Sequence, residues 1–283
     1  MKKESWNLGD ILPEINSKEY DNLLKELEEN TKFIENYRKK LNPEIKVEEF
    51  IKIIKTEEKI AESTSKITAY AYLWFSEDTS NQEAKSYRAK VEQISVDVNN
   101  RIMFFSLWFK NIDEKNAERI INSVPKDYKY MLQFMRLVKK YTLTEQEEKI
   151  INLKDVTGSN ALIKLYDIIT NDFLFTLKIK GKELKLTREQ LTAYARDKNP
   201  DIRKAAYQEM YKVYSKNSDS LNELYRNIVM DWNNETIKLR KYEKPISARN
   251  ISNDVSDKVI NLLLEVCRKN RSLLSRIQAA ILQ

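Results

Sequence analysis

Apolar residues recur every three or four positions along most of this 283-residue chain. That spacing is typical of helices that bury one face. Only three glycines and five prolines interrupt the pattern. The sequence therefore predicts a mainly α, multi-helix fold.

Three long helical segments are expected near the N-terminus. The first runs from Ser17 to Leu41, where Asn42 and Pro43 stop it, and the second covers about Val47 to Phe75. After a break at 78–81, the third continues through Phe105, and shorter helices are expected over 114–123 and 127–140. Together they predict an antiparallel helical lobe over residues 1–140.

Two aromatic patches lie within this lobe, Tyr70 to Phe75 and Phe104 to Phe109. Aromatic stripes at helical spacing are what buried helix faces require, so core packing is the first interpretation. The alternative is that they form a peptide-binding wall.

Residues 141–283 are expected to form a second helical domain. Thr144 with Glu147 and Thr187 with Gln190 have the spacing of capping boxes, which begin helices. Between them, apolar and polar residues alternate on both sides of Gly181. This alternation predicts one small β-hairpin near 173–186.

The chain is predicted to end in helices. Asn199 and Pro200 begin one that runs to about residue 216, and another is expected over 219–239, before a break at 242–245. The last helix begins at Asp254 or Ser256 and carries an apolar stripe from Ile260 to Ile281. The stripe still runs where the chain stops, which fits either a fraying terminus or a helix cut in the middle. We expect self-association or partner binding through this stripe, and we expect Cys267 on it to be a small buried hydrophobe.

The chain contains no histidine. Histidine is the commonest zinc ligand and the usual general base of serine and cysteine triads. Three glycines are too few for a glycine-rich phosphate loop. No residue of this chain is therefore predicted to be catalytic or to bind a metal.

Charge and cysteine content favour a cytoplasmic protein without nucleic-acid binding. The 50 Lys and Arg residues and 43 Asp and Glu residues give a net charge of +7, but the two signs are interleaved. A single cysteine forms no internal disulfide and favours a reducing compartment. The N-terminus lacks the apolar stretch of a signal peptide, and the apolar run from Ile102 to Phe109 is too short to cross a membrane.

Several segments of the chain match those of one protein family in their order and in the spacing between them. They are Leu143–Ile151, Thr157–Ala161, the hairpin at 173–186, Leu186–Leu191, Asn199–Ala206 and Leu239–Tyr242 with Asn253–Val255. This pattern resembles the oligoendopeptidase F family of zinc oligopeptidases, mainly from Leu143 to Val266. The resemblance implies a mostly helical, clam-shaped cytoplasmic metallopeptidase that cleaves short peptides inside a deep channel.

In that family an H-E-x-x-H helix and a later glutamate hold the zinc, and none of these residues can be placed here. The resemblance therefore implies the N-terminal portion of such an enzyme, the clam-shell half that forms part of the substrate channel, without zinc and inactive alone. Its expected partners are short peptides and the missing C-terminal catalytic portion, to which the zinc belongs. The alternative is a stand-alone helical module that binds peptides or nucleic acid.

Three residues are candidates for contact with substrate or with the missing portion. Arg240, Tyr242 and Arg249 form a basic and aromatic cluster in and beside a loop, where binding residues concentrate. The competing interpretation is a solvated loop. Outside this cluster, Gly158 is expected to allow a left-handed turn, and Arg203 to satisfy backbone carbonyls or a carboxylate.

Overall fold

The computed structural model describes residues 6–12, 15, 17–179, 181–273 and 275–276. This part of the chain contains twelve α-helices and one two-stranded antiparallel sheet, which confirms the predicted mainly α fold with one small hairpin. The elements in order are α1 (Lys18–Glu35), α2 (Val47–Glu77), α3 (Gln82–Asn111), α4 (Glu114–Ser123), α5 (Lys126–Leu137), a 3₁₀ turn (Val138–Tyr141), α6 (Glu145–Thr157), α7 (Ser159–Asn171), β1 (Phe175–Ile179), β2 (Lys182–Leu186), α8 (Arg188–Tyr194), α9 (Pro200–Lys216), α10 (Ser218–Trp232), a π-helical segment (Asn233–Leu239), α11 (Pro245–Ser252) and α12 (Asp257–Lys269). None of the helices in the described ranges is long and apolar enough to span a membrane.

The chain divides into two compact units, Met1–Ile228 and Val229–Gln283. The first unit holds two separate hydrophobic cores, one built from residues of α1 to α5 and one around the hairpin. The domain boundary predicted after residue 140 falls between these two cores, not between the two units.

Aromatic residues fill the centre of the first core. Phe50 of α2 is fully buried, and its ring lies 5.3 Å from the rings of both Phe105 and Phe109 of α3. Most of the 104–109 patch therefore packs as core, as the first interpretation required. In the other patch, Phe75 is buried but Tyr72 is 54% exposed.

Ion pairs join the helices around this core. Arg101 of α3 donates to Glu28 and Glu35 of α1, at 2.7 Å to each carboxylate. Arg38, just after α1, donates with two nitrogens to the Glu145 carboxylate at 2.9 and 2.7 Å. These hydrogen bonds lower the pKa of the Glu145 carboxyl to about 2. The Arg38–Glu145 ion pair fixes the start of α6 to the segment that follows α1.

The second core lies where the hairpin packs against α8 and α9. Phe175 and Leu177 of β1 are buried, and the Phe175 ring stacks with that of Tyr214 at 6.4 Å. Phe175 pairs with Leu186 across the sheet, and Gly181 at the turn has φ of +76°, a conformation that favours glycine.

One helix was predicted with a wrong boundary, and one helix was missed. Helix α1 ends at Glu35, not at Leu41, because Asn36 begins a series of tight turns that leave Tyr37 and Leu41 packed against the core. Helix α11 was not predicted, since Pro245 resembled a helix breaker, yet it occupies the first turn of a helix.

Gly158 has a different role from the one expected. Its φ is −101° and its ψ is −112°, so the backbone is not left-handed. A Cβ at this position would lie 2.9 Å from the carbonyl oxygen of Lys154, so glycine is required here by close packing of the backbone. Arg203 does satisfy carbonyls, since its Nη1 donates to the backbone oxygens of Asp197 and Lys198 at 2.8 and 3.0 Å.

The last predicted helix is interrupted by a turn at Asn270. Helix α12 ends at Lys269, where the Asn270 side chain donates to the carbonyl oxygen of Val266 at 2.8 Å, and residues 271–273 and 275–276 are again helical. Leu274, Ile277 and Ile281 of the stripe lie outside the described residues. Cys267 is exposed, so its predicted burial was wrong. The reason is that no residue of α12 is buried.

Candidate functional site

The three predicted contact residues lie in the second unit, beside the π-helical segment. In this segment the hydrogen bonds span five residues, and the last runs from the Arg240 amide to the carbonyl oxygen of Glu235 at 2.8 Å. Lys241 follows with φ of +61°, a left-handed conformation that is uncommon outside glycine. Single turns of π-helix occur often at functional sites, because they displace side chains from regular helical positions.

Arg240 forms an ion pair at the end of this segment. Its Nε donates to the Glu235 Oε1 at 2.7 Å, and the side chains are 19% and 27% exposed. A guanidinium held in this way is a fixed positive charge at the turn.

Tyr242 and Arg249 follow Arg240 on neighbouring elements. Tyr242 is half-buried, and its amide donates to the carbonyl oxygen of Thr236 at 3.2 Å. Arg249 is exposed on α11, which packs against the π-helical segment. The structure thus places all three residues within one unit and on elements that are in contact.

Buried polar residues stabilise this arrangement. Ser247 and Asn250 of α11 are buried, and the Asn250 side chain donates to the Asp257 carboxylate at 2.7 Å. The Asn250 carbonyl oxygen accepts from the Val255 amide at 2.9 Å. The cluster offers positive charge and an aromatic ring, which suit contact with a carboxylate or a peptide, but it has no nucleophile with a neighbouring base.

A second candidate site was not predicted from the sequence. It is a cleft of about 370 Å³ in the first unit, lined by residues of α2, α7 and α8 and of the segments that adjoin them. We call it the α2–α7–α8 cleft, and its lining residues are Tyr72, Phe75, Ser76, Thr79, Tyr166, Asp167, Thr170, Asn171, Thr187, Arg188 and Glu189. Its volume lies within the range usual for small-molecule sites.

One contact distant in sequence and one within α7 order the lining of the α2–α7–α8 cleft. The Asn171 amide nitrogen donates to the Thr79 hydroxyl at 2.6 Å, although 92 residues separate the two. Thr170 donates to the carbonyl oxygen of Tyr166 at 2.8 Å. No local motif marks these residues, so only the tertiary structure reveals the site.

Comparisons with known proteins agree on one family. A family model with the description Oligopeptidase F matches residues 108–175. Over 97% of the chain, the oligoendopeptidase F homolog of Borreliella burgdorferi is 26% identical, and the oligopeptidase PepF of Bacillus subtilis is 21% identical. The chain covers 45% and 41% of these two relatives.

Solved structures show the same fold. A crystal structure of oligoendopeptidase-F from Enterococcus faecium matches 93% of this chain with a TM-score of 0.78 at 20% identity. The matched region is 52% of that protein. The chain thus spans about half the length of the relatives it matches, or slightly less. The predicted resemblance is confirmed: the chain is similar to oligoendopeptidase F proteins in sequence and to one of them in fold.

Proposed function

We propose that this chain is the N-terminal portion of an oligoendopeptidase F-like zinc peptidase that hydrolyses short peptides. In this proposal the chain forms part of the substrate channel and is inactive alone. Short peptides are its substrates, and the C-terminal catalytic portion is its partner. A cytoplasmic location, expected from the single cysteine, belongs to the same proposal.

The observation that carries the proposal is the extent of the match. Nearly the whole chain aligns with relatives that are about twice as long, in sequence and in fold. The aligned part contains no histidine. Both facts are explained if the chain is one part of a longer enzyme. This part then forms a wall of the substrate channel, and another part holds the metal site.

The residues of this chain do not fit a zinc ion. No group of three or more His, Cys, Asp or Glu side chains is arranged to hold a metal among the residues that the structure describes. Structural and catalytic zinc sites need at least three protein ligands, mostly nitrogen or sulfur. In this proposal zinc chemistry therefore belongs to the C-terminal catalytic portion.

The first experiment reads the gene beyond the codon for Gln283. Continuation into an H-E-x-x-H helix supports the proposal, and a stop codon at that position contradicts it. The chain and the downstream portion are then produced separately and mixed. We expect hydrolysis of an internally quenched peptide only in the mixture, and we expect a zinc chelator to abolish it.

Zinc content gives an independent check. The purified chain, dialysed against trace zinc, is expected to hold far less than one equivalent by atomic absorption. Stoichiometric zinc, or chelator-sensitive hydrolysis by the chain alone, would refute the proposal.

The exposed face of α12 is the proposed contact for self-association or for the catalytic portion. Val259, Leu262, Leu263 and Val266 are each about half exposed on this helix. Contiguous apolar surface of this kind favours association in water. Light scattering after size exclusion tests it: the mass is expected to rise with concentration, and Leu263→Glu is expected to reduce that rise. A concentration-independent monomer would contradict it.

Arg240, Tyr242 and Arg249 are proposed to contact the substrate or the catalytic portion. Arg249 is the best residue to change, because it is exposed and its loss leaves the Arg240 ion pair in place. In the reconstituted enzyme, Arg249→Ala is expected to raise KM or weaken assembly severalfold. Arg226→Ala on the exposed face of α10 is the control, and equal effects of both changes would favour the solvated-loop interpretation.

A further inference from the structure

We propose that the α2–α7–α8 cleft binds an organic cation, the ammonium or guanidinium group of a basic peptide side chain. Asp167 supplies the charge that recognises it. This site is separate from any zinc chemistry and does not depend on the proposed peptidase function. Its occupant is identified by the charges and hydrogen-bond acceptors that line the cleft.

Asp167 is the unpaired charge of the cleft. It lies on α7 and is half-buried, and its carboxylate has no hydrogen bond or ion pair with any residue in the described ranges. A partly buried carboxylate without a partner is unfavourable, and a cation of matching geometry relieves that cost.

The other charges in the lining already have partners. Arg188 donates to Glu189, with Nε 2.9 Å from Oε1. A hydrogen bond with Tyr214 raises the pKa of the Arg188 guanidinium further. The lining therefore carries two acids and one base, and the base is engaged.

Cations on the neighbouring helices are also engaged. Arg88 of α3 and Lys164 of α7 share the Glu92 carboxylate, and Arg88 also lies 4.5 Å from the centre of the Phe75 ring. Neither cation lines the cleft. Among the described residues, the Asp167 carboxylate therefore has no cationic partner and is available to a cationic ligand.

Hydrogen-bond acceptors around Asp167 suit a donor-rich ligand. The Asn171 amide nitrogen is engaged by Thr79, which leaves the amide oxygen as an acceptor. The Ser76 hydroxyl also lines the cleft. Ammonium and guanidinium groups have three and five N–H donors and no acceptor, so a set of acceptors matches them.

Aromatic rings complete the recognition surface. Tyr166 and Tyr72 line the cleft and are 37% and 54% exposed. The Arg88 guanidinium already lies 5.4 Å from the centre of the Tyr72 ring, so Tyr166 is the ring proposed to meet the ligand cation. The face of an aromatic ring attracts a cation within about 6 Å. A long basic side chain can therefore place its methylenes against the rings and its charge near Asp167.

The test uses the whole purified chain and two blocked tripeptides in isothermal titration calorimetry. One is acetyl-Ala-Lys-Ala-amide, and the other replaces lysine with norleucine, which has nearly the same length but no charge. We expect the lysine peptide to bind at least about tenfold more tightly than the norleucine peptide. The reason is that only the lysine ammonium can form an ion pair with Asp167 and a cation–π contact with an aromatic ring. Raising the salt concentration is expected to weaken binding of the lysine peptide.

Two variants locate the binding. Asp167→Asn keeps the shape of the side chain and removes its charge, so lysine-peptide binding is expected to fall about tenfold toward that of the norleucine peptide. Asp231→Asn makes the same change at an exposed site on α10 and is expected to bind as the unaltered chain does. Circular dichroism checks that both variants are folded.

The proposal is overturned by either of two results. One is equal binding, or no binding, of the lysine and norleucine peptides by the unaltered chain. The other is unchanged lysine-peptide binding by a folded Asp167→Asn chain. Neither result bears on the gene sequence, zinc content or reconstitution, so the two proposals fail separately.

Discussion

The lobe formed by α1 to α5 and the unit Val229–Gln283 use the same helical pattern with opposite results. In the lobe the apolar stripes meet one another and bury a continuous core. In the second unit, the described residues include no buried apolar side chain, and the buried ones are Thr236, Ser247 and Asn250. A helical stripe therefore predicts a face that needs a partner, and only the fold decides whether that partner lies in the same unit.

The difference has an energetic meaning. Burial of apolar surface contributes about 25 cal/mol per Å² and is the main favourable contribution to folding. The second unit gains little from it within the described residues and is held by capping and side-chain hydrogen bonds such as Asn250 to Asp257. We expect it to be the less stable unit until its apolar face is covered.

The largest test of this contrast is removal of one large side chain from each region. Phe50→Ala removes a fully buried ring that packs against Phe105 and Phe109. It is expected to lower the free energy of unfolding by about 3–5 kcal/mol, through lost transfer energy and a cavity. Urea denaturation followed by circular dichroism measures the change.

Leu263→Ala on α12 is the matched change, because its side chain is 57% exposed. It is expected to change the free energy of unfolding by less than about 0.5 kcal/mol. A similar loss of unfolding free energy in the two variants would show that α12 is covered in solution. The proposed difference between the two regions would then be wrong.

A second prediction concerns the ion pairs around the first core. Arg101→Gln leaves Glu28 and Glu35 without their shared guanidinium and is expected to cost about 1–2 kcal/mol at pH 7. Hydrogen bonds from Arg101 lower the pKa of both carboxyls in the folded state. Their contribution is therefore present above the ordinary glutamate pKa and is lost as the pH falls through the lowered folded values.

Because the contribution of the two carboxylates is lost at low pH, the effect of the substitution is expected to depend on pH. The difference in unfolding free energy between the unaltered chain and Arg101→Gln is expected to narrow when urea denaturation is repeated from pH 7 down to pH 3. Lys66→Gln, which breaks an exposed pair with Glu62 on α2, is expected to change neither stability nor the profile measurably. A difference that stayed constant with pH would exclude the ion pairs as its cause.

Local signals explain which parts of the fold were predictable. Thr144 and Thr187 form capping boxes as expected, and Asn199 with Pro200 begins α9, because such caps act within one turn. The end of α1 had no such signal, since Tyr37 and Leu41 keep helical spacing while the chain turns.

Burial and the α2–α7–α8 cleft were less predictable, because both depend on distant contacts. Cys267 lies on an apolar stripe, but burial required a partner helix that this unit does not provide. Thr79 and Asn171 meet only because the fold brings the segment after α2 to the end of α7. Their sequence neighbours give no indication of the meeting.

A third, smaller prediction concerns the turn between α6 and α7. Gly158→Ala places a Cβ 2.9 Å from the backbone oxygen of Lys154, so the helix end must shift. It is expected to lower the free energy of unfolding by about 1 kcal/mol, which is the lower end of the range usual for substitutions that overpack a site. Gly9→Ala is the control, because its nearest neighbour, at 3.1 Å, is the movable side chain of Asn7. A Gly158→Ala chain as stable as the control would show that this junction tolerates a Cβ.

The smallest effect is expected at Cys267, where the readout is accessibility and not stability. Its exposed thiol is expected to react with Ellman's reagent in the native chain nearly as fast as in urea. The control combines Cys267→Ser with Ala117→Cys, which places the only thiol at a fully buried position of the first core. That thiol is expected to react only as the chain unfolds. If Cys267 is slow at high protein concentration and fast at low concentration, self-association covers α12. If it is slow at every concentration, then α12 is covered within one chain, and the contrast between the two regions is wrong.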